Sequence, residues 1–588
     1  MFRPRVTIGY QRLYKNMQID LDEVPDRSDF KSCVCIVGGG IAGLLLARSL
    51  AGCGIDVQLL EAGGHTLESR SQEMYGVEMT GKHHEGATEG RFRVFGGSST
   101  RWGGQLLPYT PDIFNPPAGT PSAKWPICAA DVEPYYAELQ AMMHVTGRPL
   151  DQDFLQSFQQ DQPSGSGSSD VHIRFSKWIA FSRRNLANTV GRECLASSRI
   201  SVFLHANVTS IEVRKEPGLA ERVIAKSYNG KTFGFYARYF VVCAGTIESC
   251  RLLLASRTEF DCGIGNATDQ VGRYFHDHIS TAAATVPASA RREFERLFSP
   301  VLVGGTLHTP KLEASPALRN KHKLLAVMAH FAIEEPEGSG MAALRDFFQG
   351  VQNGKGFRKL AKAALALPRS SADIARMSWC ASVRKRRAIS RGATIRLRLD
   401  SEQLPAAERR ITLSAQRDPL GMPRSIIHWS VSEEEHRTMQ VYAKVVDRFL
   451  NRLGLGPLDW RPELWEQGEA WLKITRDTYH AMGGTRMGAN PNSSVVDSNL
   501  RIHGLSNLFI SSCSVFPGGG SSNPTFTLMA LALRLGAHLT RLCSVPVASY
   551  RSKQIDMTTV FAQTLAKKVN TEGTTEGRGH AKGMHLLT

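Results

Sequence analysis

The amino-acid sequence predicts an α/β fold (α+β overall), in which a domain with a parallel sheet is interrupted by a second, mainly antiparallel domain. Two observations support this prediction. Apolar runs followed by glycine occur at Cys33–Val37 and at Tyr239–Ala244, as is typical of buried parallel strands. In the middle of the chain, Ala393–Leu399 and Arg410–Leu413 alternate in polarity, which favours antiparallel strands.

The composition is that of a soluble globular protein with two or three domains. Of the 588 residues, 42% are hydrophobic and 21% are charged, which is enough apolar material for a large core. No run of ~18 apolar residues occurs, so we expect no membrane-spanning helix. The first residues lack the pattern of a secretory signal. The 11 cysteines show no Cys-x2-Cys spacing, which favours free thiols in a reducing cytoplasm.

The net charge of +17 is unevenly distributed. Residues 345–391 contain twelve basic and two acidic residues and so carry +10 of it. This local excess argues against a general nucleic-acid-binding protein. Apolar residues recur at helical spacing in the same region, with basic residues on the other face. We therefore predict either a helix that docks on an anionic membrane or an acidic partner, or a lid helix with solvated charges.

A strand–helix–strand unit near the start of the chain predicts a Rossmann-like dinucleotide site. Gly38, Gly40 and Gly43 separate the first apolar strand from a helix, and Glu61 ends the next strand, Ile55–Leu60. The glycines permit a tight turn and close approach to a pyrophosphate, and the acidic side chain suits a ribose. This motif alone leaves the choice between NAD and FAD open.

Two further segments favour FAD. Phe95–Gly104 is a second glycine-rich loop, in which the backbone of Gly96, Gly97 and Ser98 can lie against a flat ring system and a pyrophosphate. Asn207 and Val208 close the predicted strand Val202–Ala206, at a place where a backbone amide can meet the edge of an adenine.

The chain supplies a histidine and an asparagine late in the sequence. His480 and Asn523 each lie beside a turn, about forty residues apart. Histidine suits general-base chemistry because its ordinary pKa is ~6.5. Pro524 is placed to begin a helix, Thr525–Thr540, whose positive end stabilises negative charge. The alternative is structural: a histidine in a turn and an asparagine that caps a helix.

Together these segments resemble the glucose–methanol–choline (GMC) family of FAD-dependent oxidoreductases over roughly residues 31–545. The resemblance is greatest to the sugar and polyol branch, whose substrate domain is similar to Glu402–Pro405, Arg410–Leu413 and Asp418-x-x-Gly421. Further family-like segments are Gly245–Leu253, Val271–Arg273 and Asp277–His278.

The resemblance implies an enzyme that oxidises a CH–OH group. It assigns His480 as the proton acceptor and Asn523 as the donor of a hydrogen bond to the substrate oxygen, with hydride passing to flavin N5. Ala244, Pro524 and Asn523 join the glycine loops as FAD-binding residues. Arg101 stands where relatives carry a histidine that links covalently to the flavin, so the resemblance implies non-covalent FAD.

Several alternatives stay open. The scaffold also suits a lyase with a redox-silent flavin, or a non-catalytic flavoprotein docked on a membrane. The electron acceptor (oxygen, a quinone or a protein) and the substrate (sugar, polyol or other alcohol) are not specified. No metal site is expected, because His276 and His278 alone do not make one. His83, His84 and His503 are interpreted as surface or turn histidines.

The predicted domain organisation follows from these segments. An N-terminal extension (1–30) precedes an FAD-binding domain (31–280). A substrate-binding domain (281–472) follows and contains the basic insertion (344–391). The chain then returns to the first domain with the catalytic pair (473–545) and ends in a tail (546–588) that we expect to be disordered.

Overall fold

The computed structural model describes most of the chain outside the N-terminal segment, the basic insertion and the tail. The described residues are 18–145, 147, 169–216, 218–336, 339, 350, 375–376, 378–390 and 392–545. The expected disordered tail and most of the basic insertion lie outside them.

The described residues contain twenty strands. In chain order they are β1 Gln18–Asp20, β2 Asp29–Val37, β3 Val57–Leu60, β4 Val77–Gly81, β5 Gln105–Leu106, β6 Val171–Trp178, β7 Ile200–Leu204, β8 Asn207–Arg214, β9 Leu219–Lys226, β10 Thr232–Val242, β11 His278–Thr285, β12 Val301–Val303, β13 Thr306–Ala314, β14 Val327–Glu334, β15 Thr394–Glu402, β16 Arg410–Arg417, β17 Pro423–Trp429, β18 Asp459–Trp460, β19 Thr475–Asp477 and β20 Leu508–Ile510.

The helices of the described residues follow their predicted positions closely where a prediction exists. The α-helices are Ile41–Gly52, Ser69–Glu73, Glu85–Thr88, Pro111–Phe114, Glu133–Met142, Phe181–Arg184, Val190–Ala196, Thr246–Ala255, Arg291–Leu297, Pro316–His322, Glu433–Arg452, Glu469–Ile474 and Thr525–Ser544.

The first sheet contains the predicted parallel strands, here β1, β7, β3, β2, β10 and β20, and adds β9 and β8 as antiparallel strands. Its order is β1-β7-β3-β2-β10-β9-β8, and β20 also pairs with β10. The two apolar runs of the sequence analysis, in β2 and β10, are direct parallel neighbours, with Val37 opposite Val242. Both runs are almost fully buried, which is why they lack alternation. The helices Ile41–Gly52 and Thr525–Ser544 pack against each other.

The second sheet is antiparallel and carries the order β18-β11-β15-β14-β13-β6-β5, with β12 and β19 attached at β13 and β11. One of its faces packs on the helix Glu433–Arg452. Tyr442 of this helix donates a hydrogen bond to the Leu312 carbonyl oxygen of β13 (2.8 Å). The other face is rich in polar side chains and is turned toward residues 478–523. The observed architecture confirms the predicted fold class.

Strand pairing crosses the predicted domain boundaries. β5 and β6 lie within residues 31–280 but belong to the second sheet, and β4 joins β16 and β17 in a small third sheet. β6 pairs with β13 and β4 with β17, each more than a hundred residues later, which local sequence patterns do not reveal. In a smaller difference, Asn207 and Val208 begin β8 rather than close the preceding strand.

The described end of the basic insertion is anchored to the protein. Arg386 donates a hydrogen bond to the Ser299 carbonyl oxygen (3.1 Å), and Arg387 lies 3.5 Å from the Glu335 carboxylate. The positive charges of Arg386 and Arg387 therefore already have partners within the protein. The structure contains eleven cysteines without a disulfide, and the sulfurs of Cys33 and Cys543 lie 3.4 Å apart. Among the described helices, none has the length and apolar character needed to cross a membrane.

Candidate active site

Two glycine-rich loops meet at the carboxyl end of the first sheet. The backbone N–H of Gly96 donates to the Gly39 carbonyl oxygen (2.9 Å). Gly97 has a φ of +54°, and a Cβ at this position would lie 2.9 Å from the Cα of Gly40. Only glycine permits this approach of two backbones. The loops thereby leave a groove whose floor is backbone rather than side chain.

Gly43 explains the close packing of the first helix on this turn. A Cβ at Gly43 would overlap the carbonyl oxygen of Gly38. The helix Ile41–Gly52 has no side chain capping its N-terminus and no acidic residue in its first turn. Its free N–H groups and positive end therefore suit a pyrophosphate.

Glu61 holds the turn from the other side. Its carboxylate accepts the N–H groups of Gly39 (2.9 Å) and Gly63 (2.8 Å). Burial raises the pKa of Glu61, while these hydrogen bonds and the nearby Arg93 oppose the increase. The carboxylate oxygens retain lone pairs that suit ribose hydroxyls.

An elongated cavity runs from Glu61 and Val208 at one end to His480 at the other. The predicted FAD-binding residues that line it are Gly38, Gly40, Glu61, Gly97, Ser98, Val208, Ala244 and Pro524. Three predicted residues are not part of its lining: Gly43 and Gly96 shape the loops, and Asn523 contacts Nε2 of His480. The backbone of the two glycine-rich loops, the uncapped N-terminus of the helix Ile41–Gly52 and the buried carboxylate of Glu61 all border this cavity, and they suit the ring system, the pyrophosphate and the ribose of an FAD molecule.

Arg101 lies near this cavity without lining it. Its guanidinium stacks over the Phe92 ring at 5.1 Å, and Phe92 itself lines the cavity. Non-covalent attachment of FAD, which the resemblance implied, remains a prediction.

His480 is held by three polar neighbours. Its Nδ1 lies 2.7 Å from the Thr478 hydroxyl oxygen and 3.1 Å from Nδ1 of His278. Its Nε2 lies 3.3 Å from the amide nitrogen of Asn523. Burial, followed by the neighbouring His278, lowers the pKa of His480 to about 4. The imidazole is therefore neutral at neutral pH.

The hydrogen-bond network assigns the proton of His480 to Nδ1. His278 Nε2 faces the carbonyl oxygen of Gly519 (3.0 Å), which can only accept, so the imidazole tautomer that fits this contact has its proton on Nε2 and an acceptor at Nδ1. The Thr478 hydroxyl donates to Asp277 (3.1 Å) and accepts from His480. Both neighbours thus require N–H at Nδ1, which leaves the lone pair of His480 on Nε2.

Asn523 completes the pair. Its amide N–H group donates toward Nε2 of His480, so a donor and a lone pair face each other across 3.3 Å. Pro524 is the N-cap of the helix Thr525–Ser544, which has no side-chain cap and no acidic residue in its first turn. The positive end of this helix therefore points into the cavity that Pro524 and Thr525 line.

Behind His480 lies a buried cluster of charge. Asp277 is fully buried, and its carboxylate lies 3.2 Å from His84 Nε2. Although burial opposes ionisation, His84 holds the pKa of Asp277 below its usual range. The interpretation of His84 as a surface histidine is wrong, because its side chain has no exposed surface. The apolar rings of Phe275 and Trp429 pack against it.

The same cluster contains a potential set of metal ligands, His84, Asp277 and Asp477. Both carboxylate oxygens of Asp477 already accept hydrogen bonds, from the N–H groups of Glu85 (2.7 Å) and Gly86 (2.8 Å). The expected absence of a metal site remains a prediction.

Sequence reasoning missed two of the groups around His480. The sequence motifs place His278 in a family-like segment and in an incomplete metal-ligand pair, and they do not single out Thr478. Nothing in the local sequence connects His278 with His480, which lies 202 residues later. The structure brings them together because β11 pairs with β19, the strand that leads into His480.

Comparison with known proteins agrees with this geometry. Residues 33–258 match the family model "FAD dependent oxidoreductase", and residues 405–532 match the model "GMC oxidoreductase". The first range contains both glycine-rich loops, and the second contains His480 and Asn523. Together the two models span more than half of the chain.

Curated relatives match almost the whole chain. The fructose dehydrogenase large subunit of Gluconobacter japonicus is 23% identical, with 85% of this chain and 96% of the relative covered. The 6'''-hydroxyparomomycin C oxidase of Streptomyces lividus is 24% identical, with 87% and 91% covered.

A solved structure shows the same fold. The formate oxidase of Aspergillus oryzae RIB40 superposes with a TM-score of 0.52 at 14% identity, covering 88% of this chain and 99% of the other. By its two family models, this chain contains an FAD-dependent oxidoreductase domain and a GMC oxidoreductase domain.

Proposed function

We propose that this enzyme oxidises the CH–OH group of a sugar, a polyol or a sugar-containing compound, with His480 as the general base. The observation that carries the proposal is the pairing of Nε2 of His480 with the amide of Asn523 at one end of the FAD-shaped cavity. The names of the curated relatives, a fructose dehydrogenase and a 6'''-hydroxyparomomycin C oxidase, support the sugar class.

The two side chains have complementary roles in this proposal. A substrate hydroxyl that enters between them donates its proton to Nε2 of His480 and accepts a hydrogen bond from the Asn523 amide. Proton removal raises the electron density on the oxygen, and the amide dipole stabilises the developing alkoxide. Bound FAD supplies the acceptor for the hydride that leaves the carbon.

The buried network prepares His480 for this role. The imidazolium formed by proton uptake is stabilised through Thr478, which accepts from Nδ1 and donates to the ionised Asp277. The positive charge on the ring is thereby linked to a negative charge two hydrogen bonds away. Such a link orients the ring and favours the tautomer that accepts a proton at Nε2.

We expect the reaction to retain its rate well below neutral pH. His480 must be neutral to act as a base, and its pKa is lowered to about 4. The rate constant for anaerobic flavin reduction should therefore stay nearly constant from pH 8 to about pH 5 and fall only as His480 becomes protonated. An acidic limb near the ordinary histidine value of ~6.5 would contradict this environment for His480.

Replacing Thr478 by valine should lower the rate constant of flavin reduction about tenfold. Valine cannot accept the Nδ1 proton of His480, and a lost hydrogen bond to a charged ring costs about 1.5 kcal/mol or more. The substrate KM should change little, because Thr478 has no contact with the substrate in this proposal. Thr478→Ser keeps the hydroxyl and is expected to restore the rate. Equal rates in the valine and wild-type enzymes would contradict the relay.

A direct test of the proposed function is anaerobic reduction of the holoenzyme with a panel of sugars, polyols and simple alcohols. Bleaching of the flavin absorbance by a member of the panel supports an oxidoreductase. Turnover of a substrate without bleaching would favour the lyase alternative. Reoxidation of the reduced enzyme by oxygen or by a quinone then distinguishes an oxidase from a dehydrogenase.

The cellular setting remains a proposal. We infer a cytoplasmic enzyme from its free thiols, with peripheral docking on an anionic membrane or an acidic partner through residues 344–391. Since Arg386 and Arg387 are engaged within the chain, the other basic residues of the insertion would supply the docking charge. Binding to anionic vesicles, and its loss at high salt, tests this role.

A further inference from the structure

The polar face of the second sheet extends from the catalytic pair across several strands. Side chains opposite each other on neighbouring strands share a face, and His278 and Ser280 of β11 lie opposite Glu402 and Asp400 of β15. Because alternate residues of a strand share a face, Arg398 lies on this same face. The face therefore begins at His278, which contacts His480, and continues away from it along β11 and β15.

Two further basic residues belong to the same face. Arg476 of β19 lies opposite Ser280. Glu313 of β13 lies opposite Met328 of β14, which in turn lies opposite Asp400. Lys311, two residues before Glu313, therefore shares this face as well. The guanidinium of Arg398 leans toward the active site and contacts the Ser280 hydroxyl (3.4 Å).

The carboxylates of this face are already held by other groups. Glu313 is paired with Arg174 at 3.0 Å, and Asp400 with His330 at 2.9 Å. Glu402 accepts the N–H groups of Gly519 and Gly520. Within the part of the chain that the structure describes, no carboxylate oxygen lies within 4.0 Å of the side-chain nitrogens of Lys311, Arg398 or Arg476.

Lys311 is the most deeply buried of the three basic residues Lys311, Arg398 and Arg476. Its side chain is buried, with 4% exposure, and its ammonium makes no hydrogen bond to a described residue. Burial lowers the pKa of Lys311, and the carboxylates of Asp400 and Glu313 only partly compensate. The ammonium is close enough to His480 to lower the pKa of that ring. A buried cation without a bonded partner is costly unless a ligand supplies one.

Arg398 is half-buried and Arg476 is exposed, so positive charge continues along this face from Lys311 to the protein surface. The pKa of Arg398 is lowered by burial and by its neighbour Arg476. Both residues flank Ser280: the Arg398 guanidinium contacts its hydroxyl, and Arg476 lies opposite it on β19. Guanidinium groups at such a position suit a carboxylate or a phosphate, whose oxygens match the guanidinium geometry.

We propose that Arg398 and Arg476, with Lys311 farther along the same sheet face, form an anion subsite, which binds a carboxylate or phosphate group carried by the sugar or polyol substrate. This inference rests on the proposed function and adds the substrate class. Two residues along a strand span about 6.6 Å. Since Ser280 is two residues from His278, which contacts Nδ1 of His480, the anionic group lies about that far from the His278 end of the site and somewhat farther from the hydroxyl at Nε2. That spacing suits opposite ends of one hexose-sized molecule.

The test compares matched substrates in the wild-type holoenzyme by anaerobic flavin reduction. The pairs are gluconate with sorbitol, glucuronate with glucose, and glucose 6-phosphate with glucose. We expect an anionic member to be preferred at least about tenfold in kcat/KM, as charge-assisted hydrogen bonds predict. The preference of a sugar acid over the sugar phosphate, or the reverse, identifies the anion.

Arg398→Gln should remove most of this preference, with a loss of about tenfold for the anionic substrate and less than about threefold for its neutral partner. Arg396→Gln is the matched control, because Arg396 lies on the same strand and face but is paired with Glu334 at 2.7 Å. Equal or better use of the neutral substrates, or equal losses for both members of a pair, would overturn the subsite.

A binding measurement separates this proposal from the proposed function. Inorganic phosphate should perturb the flavin absorbance of the wild-type enzyme saturably and of Arg398→Gln much more weakly. If phosphate binds in this way while no alcohol reduces the flavin, the anion subsite stands and the proposed function fails. If alcohols reduce the flavin but neither anion preference nor phosphate binding is found, the subsite is refuted and the proposed function stands.

Discussion

Replacing His480 by alanine is expected to slow anaerobic flavin reduction by about 10²–10⁴-fold, the usual contribution of a positioned general base. The variant loses the only lone pair that the Asn523 amide faces in the described structure, at 3.3 Å. The substrate proton must then leave to water. The measurement is the rate constant of flavin bleaching at saturating substrate, in an enzyme whose FAD content is checked by absorbance.

His503→Ala provides the matched control. His503 is partly buried and contacts the Ser494 hydroxyl (3.0 Å), but it does not line the FAD-shaped cavity. We expect this variant to reduce its flavin at the wild-type rate. His480→Gln preserves much of the side-chain volume without the base and should be nearly as slow as alanine. Wild-type rates in both His480 variants, with full FAD occupancy, would exclude His480 as the base.

Replacing Arg251 by methionine should destabilise the protein by about 3–5 kcal/mol, as expected when one partner of a buried ion pair is removed. Arg251 is 2% exposed and bonds Asp418 at 2.6 Å and Glu248 at 3.1 Å. It also donates to the carbonyl oxygens of Met74 (3.1 Å) and Pro423 (2.7 Å). It thereby joins the helix Thr246–Ala255, which lines the FAD cavity, to the small third sheet.

Two comparisons sharpen this prediction. Arg214→Met removes an arginine from an exposed pair with Glu221 and should cost less than about 1 kcal/mol. Arg251→Met leaves the carboxylate of Asp418 buried without its partner. Adding Asp418→Asn removes this negative charge but keeps an acceptor for the N–H groups of Leu420 and Met422. The double variant should recover part of the loss. Thermal unfolding midpoints that are equal in Arg251→Met and Arg214→Met would contradict this account.

Much of the nucleotide-binding region was predictable because its determinants are local. The glycines at 38, 40 and 43 act on a turn of six residues, and Gly97 acts on its own loop. Backbone conformations and a strand–helix–strand order are properties of neighbouring residues. The buried strands were recognisable for the same reason, since uninterrupted apolar runs need no knowledge of their partners.

The surroundings of His480 were not predictable in this way. Thr478, His278 and Asp277 meet only because β11 and β19 pair in a particular register. His84 was misjudged because a polar residue beside another histidine gives no sign that it is enclosed by Phe275 and Trp429. Register between distant strands depends on the packing of the whole sheet.

The residues alone therefore indicated the reaction type, because a glycine-rich turn, an acidic strand end and a late histidine–asparagine pair together resemble one family of flavoenzymes. The tertiary structure determines the tautomer of His480, its lowered pKa, and the position of Lys311, Arg398 and Arg476 on one face of the neighbouring sheet. These properties arise from burial and from charges brought together across the sheet. Both effects depend on distances in space between residues that are far apart in the chain, which no local pattern encodes.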